Sequence, residues 1–337
     1  RNGAIGLLPP EIKQAVVTSE YPVLVPDSKQ VDVRYLALLL RSPNFQHLLK
    51  QAASGTSGRK RVHGDNFADL EIPLPEPAEQ RQLLDGYEKA LGNAAKLDAD
   101  ALVLEHRAIR EFEAALGLVP PPDLPRKPFQ IAQFKNMDRW SHECVLQNSL
   151  VSKTADSALA TAALGDYVEV THGCGASPSP RTTKLEVLKI SAATRGELRP
   201  SEKKFAFDRP EFRRRFDLRR GDVLLCRVNG TLAYVGMSAL VEEDMSDMIF
   251  PDKLIRVRVK DSALLPDYLW RLLQLPNMRV QIESYARTAV GNYAIGSTDV
   301  AEFQIPLPPI QTQHALTKML RESRHEAAAK RSEAARR

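Results

Sequence analysis

The sequence predicts an α+β chain built twice, as a globular part and a long helix followed by a second globular part and a second long helix. Three observations carry this. Tyr35-Leu36-x-x-Leu39-Leu40-x-x-Pro43-Asn44 recurs as Tyr268-Leu269-x-x-Leu272-Leu273-x-x-Pro276-Asn277, and Ile72-Pro73-Leu74-Pro75 recurs as Ile305-Pro306-Leu307-Pro308. Both pairs are 233 residues apart, and Gly58/Gly291, Gln80/Gln313 and Leu83/Leu316 keep that offset without a gap. Proline and glycine make specific backbone demands, so chance does not hold them in register over such a span. Behind each copy, apolar residues follow a heptad spacing.

Taken in order, residues 1–77 read as the latter part of a first globular unit. The second copy begins near Leu164-Gly165-Asp166, whose counterpart would lie upstream of Arg1, and the sequence does not open on Met. The start of the first unit is therefore expected to be missing. Residues 78–118 read as a helix. Leu83, Tyr87, Ala90, Ala94, Leu97, Ala101, Leu104 and Ala108 form a 4-3-4-3 seam that Gly117 and Pro120-Pro121-Pro122 terminate. A helix from Glu79 to Leu116 would be roughly 55 Å long. Residues 119–163 are the linker and the approach to the second unit. Residues 164–309 form that unit, with strands expected at Val187–Ile190, Val223–Val228 and Leu254–Val259 between the turn signals Gly221-Asp222 and Asn229-Gly230. Residues 310–337 repeat the helical seam at Leu316, Leu320, Ser323 and Ala327 in a shorter helix. Two such helices in one chain would most simply pair with each other.

Composition excludes several classes. Among 337 residues, 43% are hydrophobic and 26% charged, which suits a folded chain rather than a disordered one. The densest apolar run, Leu36 to Leu40, is far short of the roughly 18 residues of a bilayer span. RNGAIGLLPPEIK has no charged region leading an apolar one into a cleavage site. Three cysteines do not make a disulfide framework, so a cytoplasmic location is expected. Between Arg181 and Arg227 there are 14 basic residues against 7 acidic, whereas Ala78–Gly117 has 5 basic against 8 acidic. Positive charge on a strand-rich part carried by an acidic helix suits a domain that meets phosphates and a helix that meets protein.

The loop before the second Pro motif adds residue types that can meet a sugar-phosphate backbone and a base edge. In the first copy it holds Thr56, Ser57, Arg59, Lys60 and Arg61, and in the second Arg287, Thr288, Asn292 and Tyr293, with the glycine shared. Arg181, Lys184, Arg227, Asn229 and Thr231 complete the set of candidate DNA contacts. Catalytic constellations are lacking: there is neither G-x-x-x-x-G-K-[ST] nor G-x-S-x-G, and Pro251-Asp252 has no spaced E-x-K after it. Gly173-Cys174-Gly175 is a lone G-x-G. His142-x-Cys144 and His172-x-Cys174 lack the usual zinc ligand spacing, so no metal is expected.

Gly221-Asp222-Val223-Leu224, Asn229-Gly230-Thr231, Phe250-Pro251, Pro266-x-Tyr268-Leu269 and Ile305-Pro306-Leu307-Pro308 follow one another into a long helix, and much of the pattern appears twice. This order resembles the DNA specificity subunits of type I restriction–modification systems over nearly the whole chain. Met137-Asp138-Arg139-Trp140-Ser141 resembles the approach to such a subunit's second recognition domain. The resemblance implies two mixed α/β target recognition domains separated by two long antiparallel coiled-coil helices. Each domain would read half of a split double-stranded DNA target, with the helices as a ruler. It also implies partners: two copies of an adenine-methylating modification subunit, and restriction subunits, held by helix residues such as Leu83, Tyr87, Leu97, Leu104, Leu316 and Leu320. Catalysis would belong to those partners, with S-adenosylmethionine, ATP and Mg on them and no cofactor in this chain. Two other readings are the C-terminal targeting half of a fused restriction–methyltransferase, and a coiled-coil scaffold unrelated to DNA.

Overall fold

The computed structural model describes residues 5–9, 11–18, 23–52, 71–118, 160–289 and 291–336, with the side chains of 50–52 and 289 left aside. The loop of Thr56, Ser57, Arg59, Lys60 and Arg61, the Pro120–Phe129 linker, Met137–Ser141 and the His142-x-Cys144 pair lie outside the described residues. The chain divides into two compact units, residues 1–100 with 329–337 and residues 101–328. Among the described residues no helix is long and apolar enough to cross a membrane.

In the first unit, α1 (Val33–Arg41) and α2 (Pro43–Ala52) precede the long α3 (Pro77–Ala115), which runs on beyond the unit. The Asp32 carboxylate caps α1 by accepting the N–H of Arg34 at 2.8 Å. Ser42, extended at ψ 148°, separates α1 from α2 because the residue before a proline is pushed out of the helical region. Leu40, Phe45 and Leu49 form the small core, with Ile5, Leu36 and Ile72 packed against it. Gln80, fully buried on α3, ties these pieces together. Its carbonyl oxygen accepts the Asp32 N–H at 2.9 Å, and its amide donates to the carbonyls of Gln30 and Pro75 at 2.8 Å each. The Tyr35 hydroxyl donates to the Pro73 carbonyl at 3.0 Å.

The second unit carries the same bonds. Gln313, also fully buried, accepts the Leu265 N–H at 2.9 Å and donates to Ala263 at 2.8 Å and Pro308 at 2.9 Å, while the Tyr268 hydroxyl donates to Pro306 at 2.8 Å. Every donor and acceptor is displaced from its counterpart by the same 233 residues. A buried amide left without partners is costly, so the Gln and Tyr of each repeat are fixed by hydrogen bonding rather than by apolar packing. One equivalent contact is reversed in sign. Arg34 on α1 faces Glu88 on α3 at 3.4 Å in the first unit. In the second unit Asp267 faces Arg321 at 2.7 Å, at the corresponding positions.

The second unit is built on a four-stranded antiparallel sheet. Its strands are β2 (Val168–His172), β5 (Val223–Cys226), β7 (Ser238–Leu240) and β9 (Leu254–Val259), in the order β2-β9-β5-β7. It is flanked in sequence by β1 (Thr161–Ala163), which pairs with β12 (Gln304–Pro306). A second sheet holds β3 (Glu186–Leu188), β4 (Lys203–Phe205) and β8 (Met248–Ile249), with the short helix α4 (Pro210–Arg215) beside it. The strand β5 explains why the sequence there does not alternate. Val223 and Leu225 enter one core and Leu224 and Cys226 the other, so both faces are buried and the run is continuously apolar. The first core also takes α5 (Pro266–Leu272), α6 (Pro276–Tyr285) and α7 (Ser297–Ala301), through Tyr268, Leu272, Ile282 and Val300.

The final helix is α8 (Ile310–Arg336). Within the second unit it runs beside the end of α3: Ser323 Oγ donates to the Leu104 carbonyl at 3.1 Å, and Ala108, Phe112, Leu116, Leu316 and Leu320 share one core. Ala101 and Ala327 are fully buried, as the heptad seam predicts. Closer to the start of α3 the seam has a different phase. Leu83 and Tyr87 are 55% and 47% exposed, and Gln80 and Leu84 are buried instead. Docking of Gln80 onto residues 30–32 and Pro75 sets the rotation of the helix there, turning Leu83 and Tyr87 outward.

Polar groups brace the sheet as well. On β9, Arg258 makes a two-pronged bond to Asp222, at 2.7 and 2.8 Å, and Arg256, 3% exposed, reaches Asp217 at 3.1 Å. Burial pushes the Asp217 carboxyl up, but Arg219, Arg258 and Arg256 outweigh it and hold it below its usual 3.8. A carboxyl depressed by folding stabilises the native state above its unfolded pKa, and this contribution is lost as pH falls through the folded one. The stability of Asp217→Asn should therefore change less than that of the parent below pH 3.8. Parallel acid titrations of unfolding would show this as a shallower acid limb, and superimposable limbs would count against it.

Candidate nucleic-acid interface

Five of the polar residues singled out in the sequence converge on one small sheet. Its strands are β10 (Arg287–Ala289), β11 (Asn292–Ala294) and β6 (Val228–Asn229), in the order β10-β11-β6. The register places Arg287 opposite Ala294, Thr288 opposite Tyr293, and Tyr293 opposite Asn229. Arg287, Thr288, Asn292, Tyr293 and Asn229 thus share a hairpin and its neighbouring strand, although some 60 residues separate Asn229 from the hairpin. Gly291, at φ +77°, takes the left-handed conformation that a side chain would strain, which accounts for the glycine shared by both loops.

The adjacent turn is also shaped by short side chains. The Asn229 side-chain oxygen accepts the Thr231 N–H at 3.0 Å, a local turn that presents Gly230 toward the hairpin. A Cβ on Gly230 would lie 3.9 Å from the Asn292 side-chain oxygen. Arg227 plays a different part. Its side chain donates to the Asp252 carbonyl at 3.0 Å and its own carbonyl accepts the Ile295 N–H at 3.1 Å, so it anchors the base of the sheet.

Two further residues steady the hairpin. Asp299, in the first turn of α7, accepts the Gly296 N–H at 2.6 Å and the Arg287 guanidinium at 3.1 Å. His172, at the end of β2, accepts the Ser297 N–H at 3.3 Å and lies 3.0 Å from the Ser297 hydroxyl. Burial, helped by the positive charge of Arg227, lowers the His172 pKa below its usual 6.5, which keeps the ring neutral and able to accept that bond. Neither residue stood out in the sequence, because a lone acid in a helix first turn and a lone histidine have ordinary structural roles.

Arg181 and Lys184 lie elsewhere, in the segment leading into β3, where the other basic residues of the region also gather. Much of that charge is already paired: Lys203 with Glu186 at 2.8 Å, Lys189 with Glu202 at 3.6 Å, Arg219 with Asp217 at 2.5 Å, and Arg213 with Asp208 and Asp247. Arg209 and Arg215 stack on Phe212 and Phe216. Exposed cations such as Arg181, Arg214 and Arg220 remain on this surface. Of the helix residues proposed for protein contact, Leu316 and Leu320 are buried in the second unit, Leu97 and Leu104 are half-buried, and Leu83 and Tyr87 face outward. The buried thiols are inert: the Cys226 thiol is pushed up to about 11 by burial, and that of Cys174 is also raised.

No protein-family model matches the chain. Among curated proteins it is similar to the type I restriction enzyme EcoKI specificity subunit of Escherichia coli strain K12, 23% identical over 84% of this chain and 57% of that protein. It is likewise similar to the Escherichia coli EcoEI specificity subunit, 21% identical over 88% of this chain and 61% of that protein. The chain thus spans somewhat over half the length of these relatives. In fold it matches a chain of a solved type I R-M system assembly, with a TM-score of 0.58 and 17% identity, covering 98% of this chain and 73% of that one.

Proposed function

We infer that this chain belongs with the specificity subunits of type I restriction enzymes, and that it is a non-catalytic reader of double-stranded DNA. The observation that carries the reading is the β10-β11-β6 sheet, which sets arginine, asparagine, threonine and tyrosine side chains on one hairpin over a rigid core. A two-stranded ribbon fits the major groove of B-DNA, where each base pair presents its own pattern of donors and acceptors. The loop of Arg59 and Lys60 would read the other half of a split target. The exposed cations around Arg181 and Arg214 would meet phosphates and fix position without reading sequence.

The long helices would set the spacing between half-sites. The 39 residues of α3 amount to roughly 58 Å, more than the roughly 34–36 Å of one DNA turn. In this reading two modification subunits and the restriction subunits assemble on the helices, with Leu83 and Tyr87 as outward-facing contacts. S-adenosylmethionine, ATP and Mg act on those partners, which carry out adenine methylation and cleavage in the cytoplasm. A fused restriction–methyltransferase is less well supported, since the curated relatives are separate specificity subunits.

Two measurements test the reading. Affinity for duplex DNA should fall steeply between low and moderate salt, because neutralised phosphates release counterions, whereas a scaffold unrelated to DNA would show a flat response. Asn292→Ala should weaken discrimination at one half-site by ~1–3 kcal/mol. Equal losses on matched and mismatched duplexes would make Asn292 a backbone contact instead.

A further inference from the structure

We propose that Asp299 is a positioning residue for sequence readout, holding Arg287 in the orientation with which the hairpin contacts a guanine edge. The inference rests on the β10-β11-β6 sheet being the DNA-reading surface, and it adds how one reader is aimed. Arg287 is 67% exposed along its side chain, yet its Nη2 sits 3.1 Å from Oδ1 of Asp299, whose side chain is 10% exposed. The other carboxylate oxygen, Oδ2, accepts the backbone N–H of Gly296 at 2.6 Å. The carboxylate is therefore fixed to the backbone and cannot follow the arginine into solvent, so the arginine is drawn to it. One part of the guanidinium is occupied, and its other N–H donors are left for a partner.

An arginine reads guanine with two parallel N–H donors directed at O6 and N7. A free arginine side chain must give up its rotamer freedom to do so, and a tethered one has already lost it. The support is itself braced, because His172 at the end of β2 bonds Ser297 two residues before Asp299. A reader held through a rigid second layer is what accurate base contacts require.

The internal repeat supplies an independent observation. At the corresponding positions of the first copy, Arg287 and Asp299 are replaced by Ser54 and Asn66, so both charges are absent together. Asparagine can accept a backbone N–H as aspartate does, so a purely capping role would not tie the carboxylate to the arginine. Moreover, a carboxylate beside the sheet repels phosphates. Its presence lowers general affinity for DNA, which makes sense where it improves discrimination.

The test is selection by the full chain from a pool of duplexes with randomised positions, followed by sequencing of the bound fraction. The parent, Arg287→Ala, Asp299→Asn and Asp299→Glu would be compared at one salt concentration, alongside thermal midpoints and affinity for an unrelated duplex. The parent should enrich a guanine at one position that Arg287→Ala erases. Asp299→Asn should cut the preference at that same position by roughly tenfold, leave the other positions intact, and bind the unrelated duplex no more weakly than the parent. Asp299→Glu should recover part of the preference. An unchanged guanine column in Asp299→Asn overturns the inference. So does a loss spread evenly over all positions together with a lowered thermal midpoint, which would mark Asp299 as structural. A parent that enriches nothing overturns the reading of the sheet as a DNA surface, and the inference with it.

Discussion

Asp222→Ala is expected to destabilise the second unit by roughly 3–5 kcal/mol, the usual cost of removing one member of a buried ion pair. Asp222 is 1% exposed, and its two oxygens hold Arg258 at 2.7 and 2.8 Å while Oδ2 also accepts the Arg219 N–H at 2.8 Å. Its removal leaves the Arg258 guanidinium, itself only 20% exposed, with the more distant Asp217 carboxylate at 3.7 Å. The cost arises from the stranded charge more than from the lost bond. Asp222→Leu combined with Arg258→Leu should therefore be less destabilising than Asp222→Ala alone. Chemical denaturation of the three proteins would measure this, and a loss below about 1 kcal/mol for Asp222→Ala would show that water reaches the arginine.

Phe112→Ala is expected to cost about 3–5 kcal/mol, as for a large aromatic side chain deleted from a core. The Phe112 ring is fully buried and stacks on Tyr268, with centroids 5.8 Å apart. Tyr268 is fixed in turn by its bond to the Pro306 carbonyl, so the neighbourhood cannot collapse into the space left behind. Phe112→Leu, which keeps more of the volume, should lose less. Equal losses for the two variants would mean that stacking geometry matters more than volume. Because Phe112 lies on α3, the same measurement tests whether the end of that helix melts with the lobe or independently of it.

What could be read from the sequence follows the range of the interactions. The duplication was legible because its anchors, Tyr35/Tyr268 and Gln80/Gln313, make bonds that only those residue types make. The strand Leu254–Val259 and the helix starting at Ile310 were legible from periodicity. The seam misplaced Leu83 and Tyr87 because a heptad pattern says which residues are apolar, whereas the hydrogen bonds of Gln80 decide which way the helix is turned. The β10-β11-β6 sheet was only half legible. Its residue types were noticeable, but Asn229 joins the hairpin through a pairing some 60 residues distant, which no local pattern contains. Asp299 and His172 escaped for the same reason, as their importance comes from what they touch.

The reversed contacts at Arg34–Glu88 and Asp267–Arg321 have a consequence for how such a gene can be rearranged. The shared glutamine and tyrosine anchors would let either arm sit on either rod. Were the arms traded, Arg34 would oppose Arg321 and Asp267 would oppose Glu88, two repulsions in place of two attractions. Each half therefore carries its own polarity key, and a recombinant that shuffles arms between halves keeps its fit only if the matching rod residue travels with them.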